Sequence, residues 1–146
     1  MRPVYVLGSV ALVFAALVAH ATTIHVPVDQ PTIQLGVEAA AAGDTVVVAC
    51  GTYYERDITM KSGVVLRSET GAPDCVTIDA GGQSRVFFCQ DVTSATVIEG
   101  VTITGGSVLG EYPDNVGGGM WCYDASPTLT KVRFTENVAE SQGGGL

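Results

Sequence analysis

Carboxylates are one group of side chains in this sequence that could do chemistry. Five of the aspartates are candidates because they are spread along the repeated part of the chain: Asp57, Asp79, Asp91, Asp114 and Asp124. If the chain forms stacked repeats, some of these could align into a Ca²⁺ site, because Ca²⁺ prefers oxygen ligands. The sequence has no D-x-D-x-D-G loop of the EF-hand type. We therefore predict no cofactor, with Ca²⁺ as the alternative.

Aromatic side chains form a second group, because their flat rings could stack against sugar rings. Adjacent residues of a strand face opposite sides, so about half of these side chains are expected in a core. The set comprises Tyr53, Tyr54, Phe87, Phe88, Tyr112, Trp121 and Tyr123. Residues 107–116, SVLGEYPDNV, interrupt a repeat and carry Glu111, Tyr112 and Asp114. Loops that protrude from repeat scaffolds tend to carry function, so these three residues are the predicted ligand contacts.

The amino terminus predicts export. Arg2 is followed by an apolar run over 4–19 and by the small-x-small triplet at 19–21, which is typical of a signal peptide cleaved after Ala21. The mature chain, 22–146, suits a single domain, and it holds six basic and 15 acidic residues, a net charge of −9. Such a charge repels phosphate backbones and argues against nucleic-acid partners. No further apolar run is long enough to span a bilayer.

A single segment has the pattern of a helix, DQPTIQLGVEAAAAG over 29–43. Pro31 suits a first helical turn and Gly43 suits the position after the last turn. Ile33, Val37, Ala40 and Ala41 would form one apolar face.

The rest of the chain consists of short strand-like segments with internal repeats. GGGM at 117–120 returns as GGGL at 143–146, and VTIDAGG at 76–82 returns as VTITGG at 101–106. The segments that begin at Thr96 and Thr128 are farther apart, but 107–116 interrupts them, and removing a loop of about six residues restores the shorter repeat. A repeat of about 25 residues suits one coil of a parallel β-helix. The predicted inward ladders are Val76, Val101, Val132 and Ile78, Ile103, Phe134.

The predicted fold is therefore all-β, a parallel β-helix with an amino-terminal capping helix. A hairpin sandwich is less favoured, because the chain has no Asn-Gly or Asp-Gly turn. We assign 1–21 to the signal peptide, 22–43 to a strand and the helix, and 44–146 to the coils. The helix would cover the exposed edge of the first coil, since open edges promote aggregation.

The four cysteines fit this coil geometry. Cys50 and Cys75 are one coil length apart, and Cys89 and Cys122 are about one coil apart once the loop is allowed for. We predict that each pair stacks in adjacent coils, as disulfides or as buried thiols. The chain has no C-x-x-C pair, and His25 is the only histidine of the mature chain, so neither a zinc site nor a histidine-based nucleophile is favoured.

Motifs of the sequence resemble the opening of right-handed parallel β-helix proteins of the pectin-lyase-like superfamily. The matching residues are TIQ at 32–34, GDT at 43–45 and GTY at 51–53, with Cys50 where proline is usual. FTEN followed by GGGL is similar to repeats of polymorphic outer-membrane proteins and other bacterial surface β-helices. The resemblance implies a right-handed coil. It leaves activity open, because the superfamily includes lyases, hydrolases, esterases, epimerases and non-enzymatic adhesins.

The motifs of these enzymes are absent. None of the mature cationic residues matches a pectate-lyase arginine motif, and the Asp-Asp and Gly-His-Gly motifs of polygalacturonases do not occur. Gln90-Asp91 is similar to part of a pectin methylesterase motif, but Val92 replaces its threonine. We predict a non-catalytic surface, adhesion or glycan-binding scaffold, with polysaccharides or cell-surface glycans as partners. The alternative is the amino-terminal portion of a polysaccharide lyase or glycoside hydrolase.

The last residues, FTENVAESQGGGL, have the pattern of an interrupted coil. Phe134 is expected to point inward, and Asn137 to occupy a left-handed turn. Leu146 would begin another inward strand without a cap behind it. We therefore expect a longer protein that is secreted, or held at the outer membrane or cell surface through a further carboxy-terminal domain.

Overall fold

The structure is a computed structural model that describes residues 20–146. Nearly all of the predicted signal peptide, 1–21, lies outside the described residues. The described chain forms short strands and one helix. In chain order these are β1 (Thr23–Val26), α1 (Ile33–Ala39), β2 (Thr45–Val48), β3 (Gly51–Tyr53), β4 (Ile58–Thr59), β5 (Val65–Ser68), β6 (Val76–Asp79), β7 (Phe87–Gln90), β8 (Val97–Glu99), β9 (Val101–Thr104), β10 (Ser107–Val108), β11 (Met120–Tyr123), β12 (Thr128–Thr130), β13 (Arg133–Thr135) and β14 (Val138–Ala139).

Successive coils stack in parallel to build these strands into sheets. The first sheet has the order β1-β2-β5-β8-β12, the second β13-β9-β6-β3 and the third β11-β7-β4, while β10 pairs with β14. Every strand pair is parallel. The chain is thus a parallel β-solenoid of about three turns, which confirms the predicted coil architecture.

The predicted ladder of Ile78, Ile103 and Phe134 is present in the second sheet, and of the other ladder the strand pairing includes Val76 and Val101, with Val132 partly buried against the core. Val76 pairs with Val101, and Ile78 pairs with Ile103, which in turn pairs with Phe134. Ile78 and Ile103 are fully buried, and Phe134 packs against the same core. Buried β-branched residues suit this position because their stiff side chains pack well on a pleated surface.

The register corrects the predicted alignment of one repeat. Thr128 lies opposite Val97 and not opposite Thr96. Val108 lies opposite Ala139 just before the loop, and Val116 lies opposite Gln142 just after it. The loop over 109–115 therefore occupies the place that only 140 and 141 fill in the next coil.

The helix is shorter than the sequence predicted. Thr32 is its N-cap, with Oγ1 accepting from the Leu35 N–H at 3.2 Å, so Pro31 precedes the helix instead of opening it. Ala40 already has an extended conformation, and Gly43, with φ 97°, lies in the following turn. Nowhere in the described part of the chain is a helix long and apolar enough to cross a membrane.

The helix nevertheless packs on the first coil. Gly36 is buried, and a Cβ placed there would lie 2.9 Å from Cγ1 of Val46 and 3.0 Å from Cγ2 of Val26. This close approach explains a residue that otherwise weakens a helix by roughly 1 kcal/mol relative to Ala. The Ile33 and Gln34 N–H groups donate to the Glu55 carboxylate at 2.7 and 3.1 Å. The loop after β3 thereby fixes the start of α1.

The prediction for Asn137 is wrong. Glu136 has the left-handed conformation, with φ 53°. The Asn137 side chain instead bonds to the backbone of the preceding coil. Its Oδ1 accepts from the Gly106 N–H at 2.9 Å, and its Nδ2 donates to the Ile103 carbonyl at 2.9 Å. Asn137 therefore ties two coils together at a corner, where strand hydrogen bonds are interrupted.

Candidate functional site

The loop predicted to contact a ligand protrudes from the coil between β10 and β11. It spans 109–115, between Val108 and the bridge at Val116. Glu111, Tyr112 and Asp114 are all exposed, and the Tyr112 side chain is 74% exposed. The Asp114 N–H donates to the Glu111 carbonyl at 2.9 Å, which closes a tight turn around Tyr112 and Pro113. The turn presents Tyr112 to solvent.

The outer face of the third sheet carries a strip of aromatic side chains beside this loop. Trp121 of β11 lies in register with Phe88 of β7, and their ring centroids are 5.2 Å apart. Tyr123 follows on the same face, with its ring centroid 6.1 Å from that of Trp121. Strand alternation sends their neighbours Phe87 and Met120 inward, where both are fully buried.

Arg85 contacts both the loop over 109–115 and the aromatic strip, and so fixes their relative position. Its guanidinium carbon lies 4.6 Å from the centroid of the Trp121 ring, a cation–π contact. Its Nη2 donates to the carbonyls of Pro113 and Asp114 at 3.5 and 3.2 Å. Both the loop backbone and the central ring are therefore fixed by one buried side chain before any ligand arrives.

The aromatic strip and the loop together form a groove of about 370 Å³. We call it the aromatic groove, and it is lined by Phe88, Gln90, Tyr112, Pro113, Trp121 and Tyr123. Its floor consists of apolar ring surface, and its polar atoms are the Tyr hydroxyls, the indole N–H and the Gln90 amide. Of the three loop residues predicted, the structure brings Tyr112 into this groove. Glu111 and Asp114 are absent from its lining.

The aspartates considered for Ca²⁺ are dispersed. Asp57 and Asp114 line one polar cavity, whereas Asp79 borders another and its Oδ1 accepts from the Gly81 N–H at 2.8 Å. Asp91 and Asp124 lie in left-handed turns, with φ 53° and 45°, just after β7 and β11. Within 20–146, the one group of three side chains of metal-binding type that come together is Cys50, Glu69 and Cys75, whose two sulfurs are joined in a disulfide and so are not thiolate ligands. Ca²⁺ binding by the aspartates stays a prediction.

The Gln90-Asp91 pair is divided between two environments. Gln90 faces outward and lines the aromatic groove, whereas Asp91 sits in the turn after β7. The Gln90 Nε2 donates to the Asp91 Oδ2 at 3.2 Å. This contact joins two exposed neighbouring residues and brings no further acid or base to them.

Two cysteines lie in loops that join the first sheet to the second, and the other two lie on the third sheet. Cys50 and Cys75 form a disulfide between adjacent coils, with their Cα atoms 4.5 Å apart. Cys89 and Cys122 are register partners on the inner face of β7 and β11, and both are free thiols. A hydrogen bond with Cys122, and then burial, raise the pKa of the Cys89 thiol. Cys89 is therefore a protonated core residue and a poor nucleophile at neutral pH.

Sequence reasoning missed the role of Arg85 and the pairing of Phe88 with Trp121. A signal for the pairing was present, because Phe88 directly precedes Cys89 and Trp121 directly precedes Cys122, and the two cysteines were expected to stack. The contact of Arg85 with Trp121 could not be predicted in this way, because it depends on where the loop over 109–115 folds back.

No protein-family model matches this chain, and comparisons with curated proteins and with solved structures give no match.

Proposed function

We propose that this protein is an exported β-solenoid that binds carbohydrate in the aromatic groove as a non-catalytic surface or adhesion scaffold. The observation that carries the proposal is the strip of Phe88, Trp121 and Tyr123 with Tyr112 beside it. A sugar ring has an apolar C–H face and a rim of hydroxyls. The aromatic rings offer flat apolar area, and their polar tips, with the Gln90 amide, can bond the hydroxyls.

The exposure of these rings supports a binding role. Tyr112 and Tyr123 are 74% and 54% exposed. Large apolar groups gathered in one exposed patch mark interaction sites more often than isolated ones do. The strands and the Arg85 contacts hold the rings in place, so little conformational entropy would be lost on binding.

The lining of the aromatic groove favours binding over turnover. In the described part of the chain its lining residues include no carboxylate, and glycoside hydrolysis uses a pair of them. The alternative, part of a glycoside hydrolase or polysaccharide lyase, draws on Asp57 and Asp114, which line the neighbouring polar cavity. Release of reducing ends or of unsaturated products from a polysaccharide panel would favour the enzyme.

Replacement of Trp121 tests the proposal directly. Trp121→Ala removes the central ring, and we expect binding to neutral polysaccharides to fall about tenfold or more, since stacked aromatic anchors dominate such interfaces. Tyr54→Ala is the matched control, because Tyr54 is an aromatic residue that is 79% exposed and lies outside the groove. Affinity electrophoresis and calorimetry measure the effect. Equal binding by the two variants would refute the proposal.

We further propose export to the cell surface or medium, with membership of the pectin-lyase-like superfamily and a right-handed coil. The cross-coil disulfide Cys50–Cys75 supports an oxidising compartment. Mass spectrometry of the protein recovered outside the cytoplasm should show an amino terminus at Thr22. An intact Met1 terminus in that fraction would contradict the predicted cleavage.

We also propose that α1 caps the first coil. The Thr59 N–H at the edge of β4 donates to Oε1 of Gln34 at 2.8 Å, so a helix side chain occupies the place of a missing strand. Gln34→Ala should speed amide exchange at Thr59. Unchanged exchange there would count against the capping role.

A further inference from the structure

A polar cavity lies beside the aromatic groove, and the protruding loop contributes residues to both. Its volume is about 250 Å³. We call it the polar pocket, and its polar lining residues are Asp57, Gln83, Ser84, Arg85, Ser107 and Asp114. They come from three successive coils, because Asp57 precedes β4, Ser84 and Arg85 precede β7, and Asp114 precedes β11.

Arg85 lines this pocket and is the cationic residue of its lining. The residue is 9% exposed, yet its buried Nε has no hydrogen-bond partner. Among residues 20–146, no carboxylate oxygen lies within 4.0 Å of its guanidinium nitrogens. A buried donor without a partner is costly, and native structures seldom leave one unless a water, an ion or a ligand completes it.

The pocket also offers acceptors. Asp57 contributes a carboxylate, whose Oδ1 accepts from the Ser84 hydroxyl at 2.6 Å, and Asp114 contributes a second. Two carboxylates and one guanidinium give the lining a net charge of −1, and the whole chain carries −8. The net negative charge of the lining would repel an anionic ligand, and the positive guanidinium of Arg85 would repel a metal cation. A neutral group with several hydroxyls can both accept from Arg85 and donate to the carboxylates.

We infer that the polar pocket binds the terminal ring of a neutral glycan, whose neighbouring rings stack in the aromatic groove. This inference rests on the proposed function. The volume lies just below the range of about 300–1,000 Å³ typical of ligand pockets, which suits one sugar ring and not a longer segment. Arg85 joins the two sites, since the residue lines the pocket and its guanidinium packs on the Trp121 ring.

Asp57→Asn tests the inference with little disturbance of the fold. Asp57 has φ 54°, a conformation that Asn tolerates as well as Asp does, and the Asn oxygen can still accept from Ser84. Asp124→Asn is the matched control, because it makes the same charge change at φ 45° and lines neither cavity. Calorimetric titration of the exported protein would use cellohexaose, laminarihexaose, mannohexaose and xylohexaose as probes.

We expect Asp57→Asn to weaken the best of these probes about tenfold, the loss of one hydrogen bond to a charged group, and Asp124→Asn to leave its affinity unchanged. O-methylation of the terminal ring of that probe should weaken binding to the unaltered chain more than it weakens binding to Asp57→Asn. If Asp57→Asn binds as the unaltered chain does while Trp121→Ala does not, the polar pocket is excluded and the aromatic groove stands. If the unaltered chain binds none of the four probes, both proposals are overturned.

Discussion

Two aromatic positions in one strand, Phe87 and Phe88, have opposite roles. Phe87 faces inward, lies in register with Met120, and is fully buried. Phe88 faces outward, lies in register with Trp121, and is half-buried. Both pairs belong to the same parallel ladder, so the difference comes from the alternation of side chains across the sheet. A solenoid strand can therefore contribute to stability on one face and to binding on the other.

The sharpest test of this contrast removes each ring in turn. Phe87→Ala should lower the free energy of unfolding by about 3–5 kcal/mol, because it leaves a cavity in a packed core. Phe88→Ala should cost about 1 kcal/mol, the value of a partly exposed aromatic pair, and should weaken glycan binding. Urea denaturation of both variants gives the two values. Similar losses of stability would contradict the division between the faces.

Asn137 belongs neither to the buried nor to the exposed ring pair, and its replacement gives a third value for comparison. Asn137→Ala removes two hydrogen bonds to the backbone of the preceding coil and leaves the Gly106 N–H and the Ile103 carbonyl without this partner. We expect a loss of about 1–3 kcal/mol, less than for Phe87 and more than for Phe88. Ser141→Ala, at an exposed position nearby, is the control. If Asn137→Ala lowers the unfolding free energy no more than Ser141→Ala does, the side-chain hydrogen bonds of Asn137 do not stabilise this corner.

The smallest expected effect concerns acid stability. The Asp44 carboxylate accepts from the Ala41 N–H at 2.8 Å and the Thr22 N–H at 2.7 Å, and these bonds lower the pKa of Asp44. A lowered pKa in the folded state stabilises the protein above the unfolded value of about 3.9, and this stabilisation is lost as the pH falls below it. Asp44→Asn should therefore flatten the dependence of unfolding free energy on pH below about 4. An unchanged slope would mean that another acid controls this range.

The core and the repeat could be predicted from the sequence because each depends on short-range pattern. Inward ladders such as Ile78, Ile103 and Phe134 follow from repeat spacing and strand alternation, and the structure confirms them. The helix ends could not be predicted as well. Glu55 is far from Ile33 in the sequence and adds nothing to the local helical pattern, yet its carboxylate helps fix where α1 begins. Likewise Asn137 resembled a turn residue, and only its contacts in the preceding coil show its use.

The same distinction between local pattern and tertiary contact applies to the candidate site. The sequence by itself determined the coil length, the inserted loop and the alternation that turns Phe88 and Trp121 outward, because all three are local or periodic properties of the chain. Only the tertiary structure decided that Tyr112 folds back beside Trp121 and that Arg85 lies between the loop and that ring. Those contacts depend on the path of a loop with no repeat partner, and the packing of adjacent coils fixes that path.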